Sequence, residues 1–220
     1  YENEKIYYPK TISKIDHLYY GPQYSNEEIK EELNSKGIKF EKHEDISKVT
    51  AGLLAENLTI GWFQGRMEIG PRALGNRSIL MSPINPKNKD IINAKIKYRE
   101  NFRPFCPSIL EEEVPNWIEN PKDEKFMASA FKVLEEKASS IPAVVHVDKT
   151  LRPQFVSKKT NNKYHQLISN FFEITKVPIL LNTSFNVKGE PIVCSPTDAI
   201  RCFYSCGLDI LVIGDYLIKK

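Results

Sequence analysis

The sequence predicts an α/β (α+β) fold, a twisted mixed sheet with flanking helices, on three observations. Short β-branched or Leu-rich runs recur along the chain. Segments with helical periodicity and readable start signals alternate with them. No apolar run approaches the roughly 18 residues that a membrane helix needs. Short buried strands alternating with helices are the pattern of a mixed sheet covered by helices.

The elements follow in order. Ser25-Asn26-Glu27-Glu28 reads as a capping box, Ile29 and Leu33 stand four apart, and Gly37 is placed to end the helix. A second helix is expected from Ile46 to Glu56, and residues 58–63 read as a strand. Ala143-Val144-Val145-His146-Val147, Pro178-Ile179-Leu180-Leu181-Asn182 and Asp209-Ile210-Leu211-Val212-Ile213 are apolar and short, as buried strands are. Tyr164 to Ile174 is an expected helix. Another starts at Ser195, with Pro196 at its first position and Asp198 at its third.

Composition narrows the class. Of 220 residues, 41% are hydrophobic and 27% charged, ordinary globular values that exclude long disorder. The opening Tyr1-Glu2-Asn3-Glu4-Lys5 has no initiator Met and no hydrophobic signal core, so the sequence is read as cut from a longer one and cytoplasmic. Cys106, Cys194, Cys202 and Cys206 lack C-x-x-C spacing and are expected as buried free thiols, and four scattered histidines spell no zinc site. The net charge of +3 conceals a concentration. Between Arg66 and Arg103 nine basic residues face three acids, so this segment is +6 and the remainder is negative. Such a local excess favours an anionic ligand over coating by a polyanion.

Within that segment, Gly65-Arg66-Met67-Glu68-Ile69-Gly70-Pro71-Arg72-Ala73-Leu74-Gly75-Asn76-Arg77-Ser78 carries three arginines, three glycines and a proline in 14 residues. Neither an amphipathic helix nor a regular strand accepts that composition. Glycines let the main chain approach a ligand, and guanidinium groups grip phosphate or carboxylate oxygens two at a time. The blander reading is a surface loop with solvated arginines. The spacing is not that of a P-loop.

Further on, Lys97 and Arg99 are two apart and would share a face on a strand, or else mark a charged helix end. Asn182-Thr183-Ser184-Phe185-Asn186-Val187-Lys188-Gly189 follows an apolar strand directly, where open α/β sheets place ligand contacts, although the same residue types also make plain turns. His146 and Arg152 flank another strand end, with Arg152 the better candidate for an anion contact.

Taken together these blocks resemble the C-terminal region of the O-carbamoyltransferases that modify antibiotics and nodulation factors, from about Leu58 to Lys220. The quoted stretches are G-R-M-E-I-G-P-R-A-L-G-N-R-S, I-K-Y-R-E-N-F-R-P-F, H-V-D-K-T-L-R-P-Q, L-L-N-T-S-F-N-V-K-G-E-P-I-V and D-I-L-V-I-G-D. The resemblance implies a fold like that of threonylcarbamoyl-adenylate synthases, whose K-x-R and S-x-N signature is matched by Lys97-x-Arg99 and Ser184-x-Asn186. It divides the chain into a connecting tail, residues 1–45, from a missing sugar-kinase-like domain, and a carbamoyltransferase C-terminal domain, residues 46–220.

The resemblance also implies a half-reaction in which carbamoyl phosphate and ATP, with Mg²⁺ carried by the nucleotide, yield carbamoyl adenylate and pyrophosphate. The missing domain would then pass the carbamoyl group to a hydroxyl. Lys97, Arg152 and Ser184 are the implied catalytic residues, and with Arg72, Arg103 and Asn182 the implied contacts to carbamoyl phosphate and nucleotide. Arg66, Arg77, Arg99 and Asn186 rank second. Lys188 stands where an arginine is expected, and Lys149 and Leu151 vary the H-V-D-x-T-x-R-P block. Two other readings remain. One is a threonylcarbamoyl-adenylate synthase, and the other is an RNA- or polyanion-binding module using Tyr98, Phe102 and Phe105 for stacking.

Overall fold

The computed structural model describes residues 15–100, 103 and 105–220. The start of the expected connecting tail, residues 1–14, and Phe102 of the stacking reading lie outside the described residues.

The helices form where local chemistry starts them. In α1 (Asn26–Ser35) the Ser25 hydroxyl accepts from the Glu28 amide at 3.2 Å and the Glu28 carboxylate accepts from the Ser25 amide at 2.7 Å. Its Ile29 and Leu33 are buried, as their spacing predicts. Strand β1 (Glu41–Lys42) follows, and α2 (Ile46–Ala55) starts on an Asp45 cap. Next come β2 (Ile60–Phe63), β3 (Arg77–Met81) and α3 (Asn88–Ile92), which runs on into a wide π-helical turn, Asn93–Lys97. Then come β4 (Cys106–Leu110), β5 (Phe131–Lys132), α4 (Glu135–Ala138), β6 (Thr150–Leu151) and β7 (Gln154–Val156). Helix α5 (Asn162–Thr175) begins on Asn161 and leads to β8 (Ile179–Ser184). Helix α6 (Pro196–Ser205) opens on the expected Ser195 cap, which with Asp198 completes a capping box, and β9 (Ile210–Ile213) and β10 (Tyr216–Lys219) close the chain.

Eight strands make one mixed sheet in the order β1-β10-β9-β2-β3-β8-β4-β7. Among the described strands, the β2–β9 and β4–β7 pairs are parallel and the others antiparallel. A small second sheet joins β5 to β6. Helices α2 and α5 pack on each other, and α6 lies against β2 and β9. The core is continuous, from Ile29 and Leu33 through Trp62, Leu80, Phe171 and Leu180 to Phe203 and Val212. The described part of the expected tail is docked: α1 rests on α6, and Glu41 and Lys42 pair with Leu217 and Tyr216.

Three expectations need correction. Residues 143–147 are not a strand. Ala143 and Val144 are buried, and their amides bond to the carbonyls of Pro83 and Ile141, whereas Val147 is fully exposed on a turn closed by the Lys149-to-His146 bond. The run is apolar because two of its side chains enter the core, and this does not require a pairing strand. Second, Lys97 and Arg99 do not share a strand face. Lys97 ends the π turn, and Tyr98 is left-handed (φ 45°), which sends Arg99 in another direction. Third, all four cysteines are free, but only Cys202 and Cys206 are buried; Cys106 and Cys194 are partly exposed.

Candidate functional site

The glycine- and arginine-rich segment is a loop between β2 and β3 built around a buried carboxylate. Glu68 is 1% exposed, and its Oε1 accepts from the amides of Leu74 (2.5 Å), Asn76 (3.3 Å) and Arg77 (3.3 Å). Burial raises its pKa, against the opposing pull of those amide bonds. The carbonyls on the loop's other side are held as well. Leu74 O accepts from Tyr19 Oη and from Gln154 Nε2, each at 2.8 Å, and Gly75 O accepts from Trp62 Nε1 at 2.9 Å. Gly75 has φ +100°, and an added Cβ would lie 2.1 Å from the Tyr164 ring, so only glycine fits. Outside, the segment before α1 lies along the loop: Gly21 N donates to Met67 O, Met67 N to Pro22 O, and Ile69 N to Leu18 O.

The loop's arginines have separate fates. Arg77 is fully buried, stacks on Phe63 at 3.6 Å, and donates to the carbonyls of Pro22, Gln64, Gly65 and Asn76. Burial lowers its pKa to about 10, which leaves it charged at neutral pH. Arg66 is exposed and reaches the Gly21 carbonyl at 3.4 Å. Arg72 alone of the three lines a cleft.

That cleft, of about 470 Å³, is walled by Arg72, Arg99, Arg103, Phe105, Cys106, Met127, Arg152, Asn182, Thr183 and Ser184, with Pro71 and Ala73. Among the described residues, four guanidinium groups face it and no carboxylate does. Arg99 lies over the Phe105 ring at 4.2 Å and its Nε donates to Asn93 Oδ1 at 2.8 Å. Arg152 is held by a contact from Nη2 to Cys106 Sγ at 3.2 Å. Strand β8 delivers Asn182, Thr183 and Ser184 from its C-terminal end, as the strand-end reading expects.

A second hollow of about 230 Å³ adjoins it, sharing Arg99, Arg103, Thr183 and Ser184 and adding Lys97, Asn186 and Lys188 together with one carboxylate, Glu100. Here Lys97, 7% exposed, donates from Nζ to the Ser184 carbonyl (2.6 Å), Asn186 Oδ1 (2.7 Å) and the Asn186 carbonyl (2.9 Å). Ser184 Oγ donates to Asn186 Oδ1 at 2.7 Å. Burial first, and Arg99 second, lower the Lys97 pKa to about 7.

Eight of the ten residues named from the sequence therefore gather around two joined hollows: Arg72, Lys97, Arg99, Arg103, Arg152, Asn182, Ser184 and Asn186. Arg66 and Arg77 lie outside both linings. His146 does too. The sequence does not single out Glu68 or Cys106 as parts of the site, and Phe105, named only for stacking in the polyanion reading, lines the cleft beneath Arg99. A lone acid in the middle of the arginine-rich loop was the available signal for Glu68. Nothing local marks Cys106, which reaches the cleft through its place on β4. Among the described residues no three His, Cys, Asp or Glu side chains come together as a metal cage.

The family described as Carbamoyltransferase C-terminus matches residues 51–220. The chain belongs to that family. Over 218 residues it is 45% identical to nodulation protein NolO of Bradyrhizobium diazoefficiens, covering 96% of this chain and 40% of the relative. It is 46% identical over 213 residues to nodulation protein NolNO of Sinorhizobium fredii, covering 94% of this chain and 31% of that protein. It is also 36% identical over 174 residues to the 3'-hydroxymethylcephem-O-carbamoyltransferase of Amycolatopsis lactamdurans, covering 79% and 32%. The chain thus spans 40% or less of the length of these carbamoyltransferase-family relatives. Among solved structures, full-length HypF in a phosphate- and nucleotide-bound form superposes with a TM-score of 0.52 at 19% identity, over 80% of this chain and 22% of HypF, a likeness of fold. No helix among the described residues is long and apolar enough to cross a membrane.

Proposed function

We propose that this carbamoyltransferase-family domain binds carbamoyl phosphate and ATP and forms carbamoyl adenylate, the activated half of an ATP-dependent carbamoyl transfer. The observation that carries the reading is the cleft with four guanidinium groups and, among the described residues, no carboxylate, joined to the Lys97–Ser184–Asn186 hollow. The substrates bring many negative charges into one place, and clustered cations both bind and partly neutralise them.

The atoms balance in two stages. Carbamoyl phosphate and water give carbamate and inorganic phosphate. A carbamate oxygen then attacks the α-phosphorus of ATP, forming the acyl–phosphate bond as pyrophosphate leaves. Neither stage needs a side-chain nucleophile. Positioning and cationic stabilisation of the developing charge carry such steps. Arg72, Arg103 and Arg152 would hold phosphate oxygens, Lys97 and Ser184 would meet the nucleotide or the reacting carboxyl, and Asn182 would close the floor. Mg²⁺ would travel on the nucleotide phosphates. Transfer onward to a hydroxyl acceptor would fall to a sugar-kinase-like domain of a longer protein, in the cytoplasm.

The test is pyrophosphate release from ATP and Mg²⁺, with and without carbamoyl phosphate. Release that depends on carbamoyl phosphate supports the reading. Release that depends on threonine and bicarbonate would instead favour a threonylcarbamoyl-adenylate synthase. Binding of unrelated RNA with steep salt dependence and no ATP binding would favour a polyanion module. Against that module, the cations converge on a concave site and do not line one helix or strand face.

A further inference from the structure

Arg72 stands on a short arch of main chain whose two feet are tied to one segment, Leu18-Tyr19-Tyr20-Gly21-Pro22. At one foot the Ile69 amide donates to the Leu18 carbonyl at 2.8 Å. At the other, Tyr19 Oη lies 2.8 Å from the Leu74 carbonyl oxygen. A carbonyl can only accept, so the Tyr19 hydroxyl is the donor. Burial pushes the Tyr19 pKa up to about 12, which keeps that proton in place across the neutral range. Between the feet, Gly70 (φ 101°), Pro71 and Arg72 are exposed. Ala73 beside them is buried, and the Glu68 carboxylate holds the Leu74 amide. Leu74 is thus pinned through both its amide and its carbonyl, next but one to the residue whose guanidinium faces the cleft.

The segment fits the loop closely. An added Cβ on Gly21 would lie 2.9 Å from the Met67 carbonyl oxygen, and just upstream Lys125 bonds to Asp16 at 2.9 Å. All of residues 16–22 precede position 51, where the family match begins, yet they support one wall of the cleft. A guanidinium that grips two phosphate oxygens at once needs its main chain held to a fraction of an ångström. Loosening that support weakens the grip although the guanidinium itself is intact. Resting on the reading that the cleft takes carbamoyl phosphate, we propose that Tyr19 is a positioning residue for Arg72: its hydroxyl, with the Leu18 carbonyl, holds the arch in the shape that aims the Arg72 guanidinium at the phosphoryl group. Tyr19 acts through Leu74 and needs no contact with the ligand.

The experiment compares the full chain as wild type, Tyr19→Phe, Arg72→Ala and the double variant. Each is titrated calorimetrically with carbamoyl phosphate and followed by hydrogen–deuterium exchange without ligand. Phenylalanine keeps the ring stacked on His17 and leaves the Leu74 carbonyl its Gln154 donor, so the fold is expected to survive. Tyr19→Phe is expected to weaken carbamoyl phosphate binding about 3- to 10-fold and to speed exchange of amides 69–77 about threefold or more. With Arg72 already alanine, the same change should alter affinity by less than about twofold, since its effect passes through that side chain. Wild-type affinity in Tyr19→Phe overturns the proposal and leaves the carbamoyl phosphate reading standing. An equal loss in both backgrounds also overturns it, because the hydroxyl then supports the cleft without acting through Arg72. A wild type that does not bind carbamoyl phosphate overturns the reading and the proposal together. If Tyr19→Phe fails to fold, exchange in the wild type decides: an Ile69 amide that exchanges as fast as an open chain shows that the arch is not tied and overturns the proposal.

Discussion

Lys97 Nζ lies 2.7 Å from Oδ1 of Asn186, a residue 89 positions away, and the pair is drawn together by the π turn after α3 meeting the end of β8. The ammonium also bonds to the Ser184 and Asn186 carbonyls, so its position is fixed before any ligand arrives. Preorganised cations of this kind stabilise developing charge without rearrangement. Replacing either Lys97 or Arg152 by alanine is expected to lower carbamoyl-phosphate-dependent pyrophosphate release about 100-fold or more. Wild-type rates in either variant would remove that residue from the reaction.

The same burial makes Lys97 sensitive to pH. Its pKa of about 7 sits below the ordinary value of 10.5, so between those values the unfolded chain holds a proton that the folded chain has released. Over that window the folded state gains stability as pH rises. Anion binding should run the opposite way, weakening as pH rises through about 7 and the ammonium is lost. Titration with carbamoyl phosphate at pH 6 and pH 8 checks this for wild type and Lys97→Met. A wild-type affinity as flat as the variant's would show that the Lys97 charge is not used.

Arg72 and Arg77 are five residues apart and should fail differently. Arg72 is exposed in the cleft, so Arg72→Ala should weaken phosphate binding with little change in melting temperature. Arg77→Met takes a donor from four carbonyls, of which those of Pro22 and Asn76 keep a main-chain partner, and should cost about 3 kcal/mol of stability. Denaturant unfolding beside a binding titration separates the two. Equal losses of affinity at equal stability would place both guanidinium groups at the ligand.

Gly75→Ala combines a left-handed main chain with a clash into the Tyr164 ring. The expected loss is about 2–4 kcal/mol, from strain and overpacking together. A melting temperature within experimental error of wild type would show that the ring moves aside freely.

What could be read from the sequence was what is decided locally or repeated periodically. The Ser25 and Ser195 caps were legible because a capping box is contained within four residues, and Ile29 and Leu33 because their spacing alone puts them on one face. Residues 143–147 misled because burial of Ala143 and Val144 in the core produces the same apolar string as a strand. The cation-rich loop was legible as a unit, but the division of labour inside it was not. Whether an arginine faces a ligand or a ring of carbonyls depends on Pro22, Gln64 and Phe63, which are distant in sequence or in role. Glu68 was missed for the same reason, since its three amide donors come from residues that read as flexible turn. Lys97 of the K-x-R block meets Ser184 and Asn186 of the S-x-N block through a π turn and a left-handed Tyr98 that no periodicity announces.

The pairing of Glu41 and Lys42 with β10 has a practical consequence. The match to the family begins at residue 51, which invites expression of the chain from that point. Cutting there strips β10 of its neighbour and leaves a row of open amides and carbonyls on a strand whose Tyr216, Leu217 and Ile218 are apolar. Such a bare sheet margin is a template for another copy's strand. A shortened chain begun at the family boundary would therefore tend toward self-association, and its aggregation would say nothing about the chemistry of the cleft.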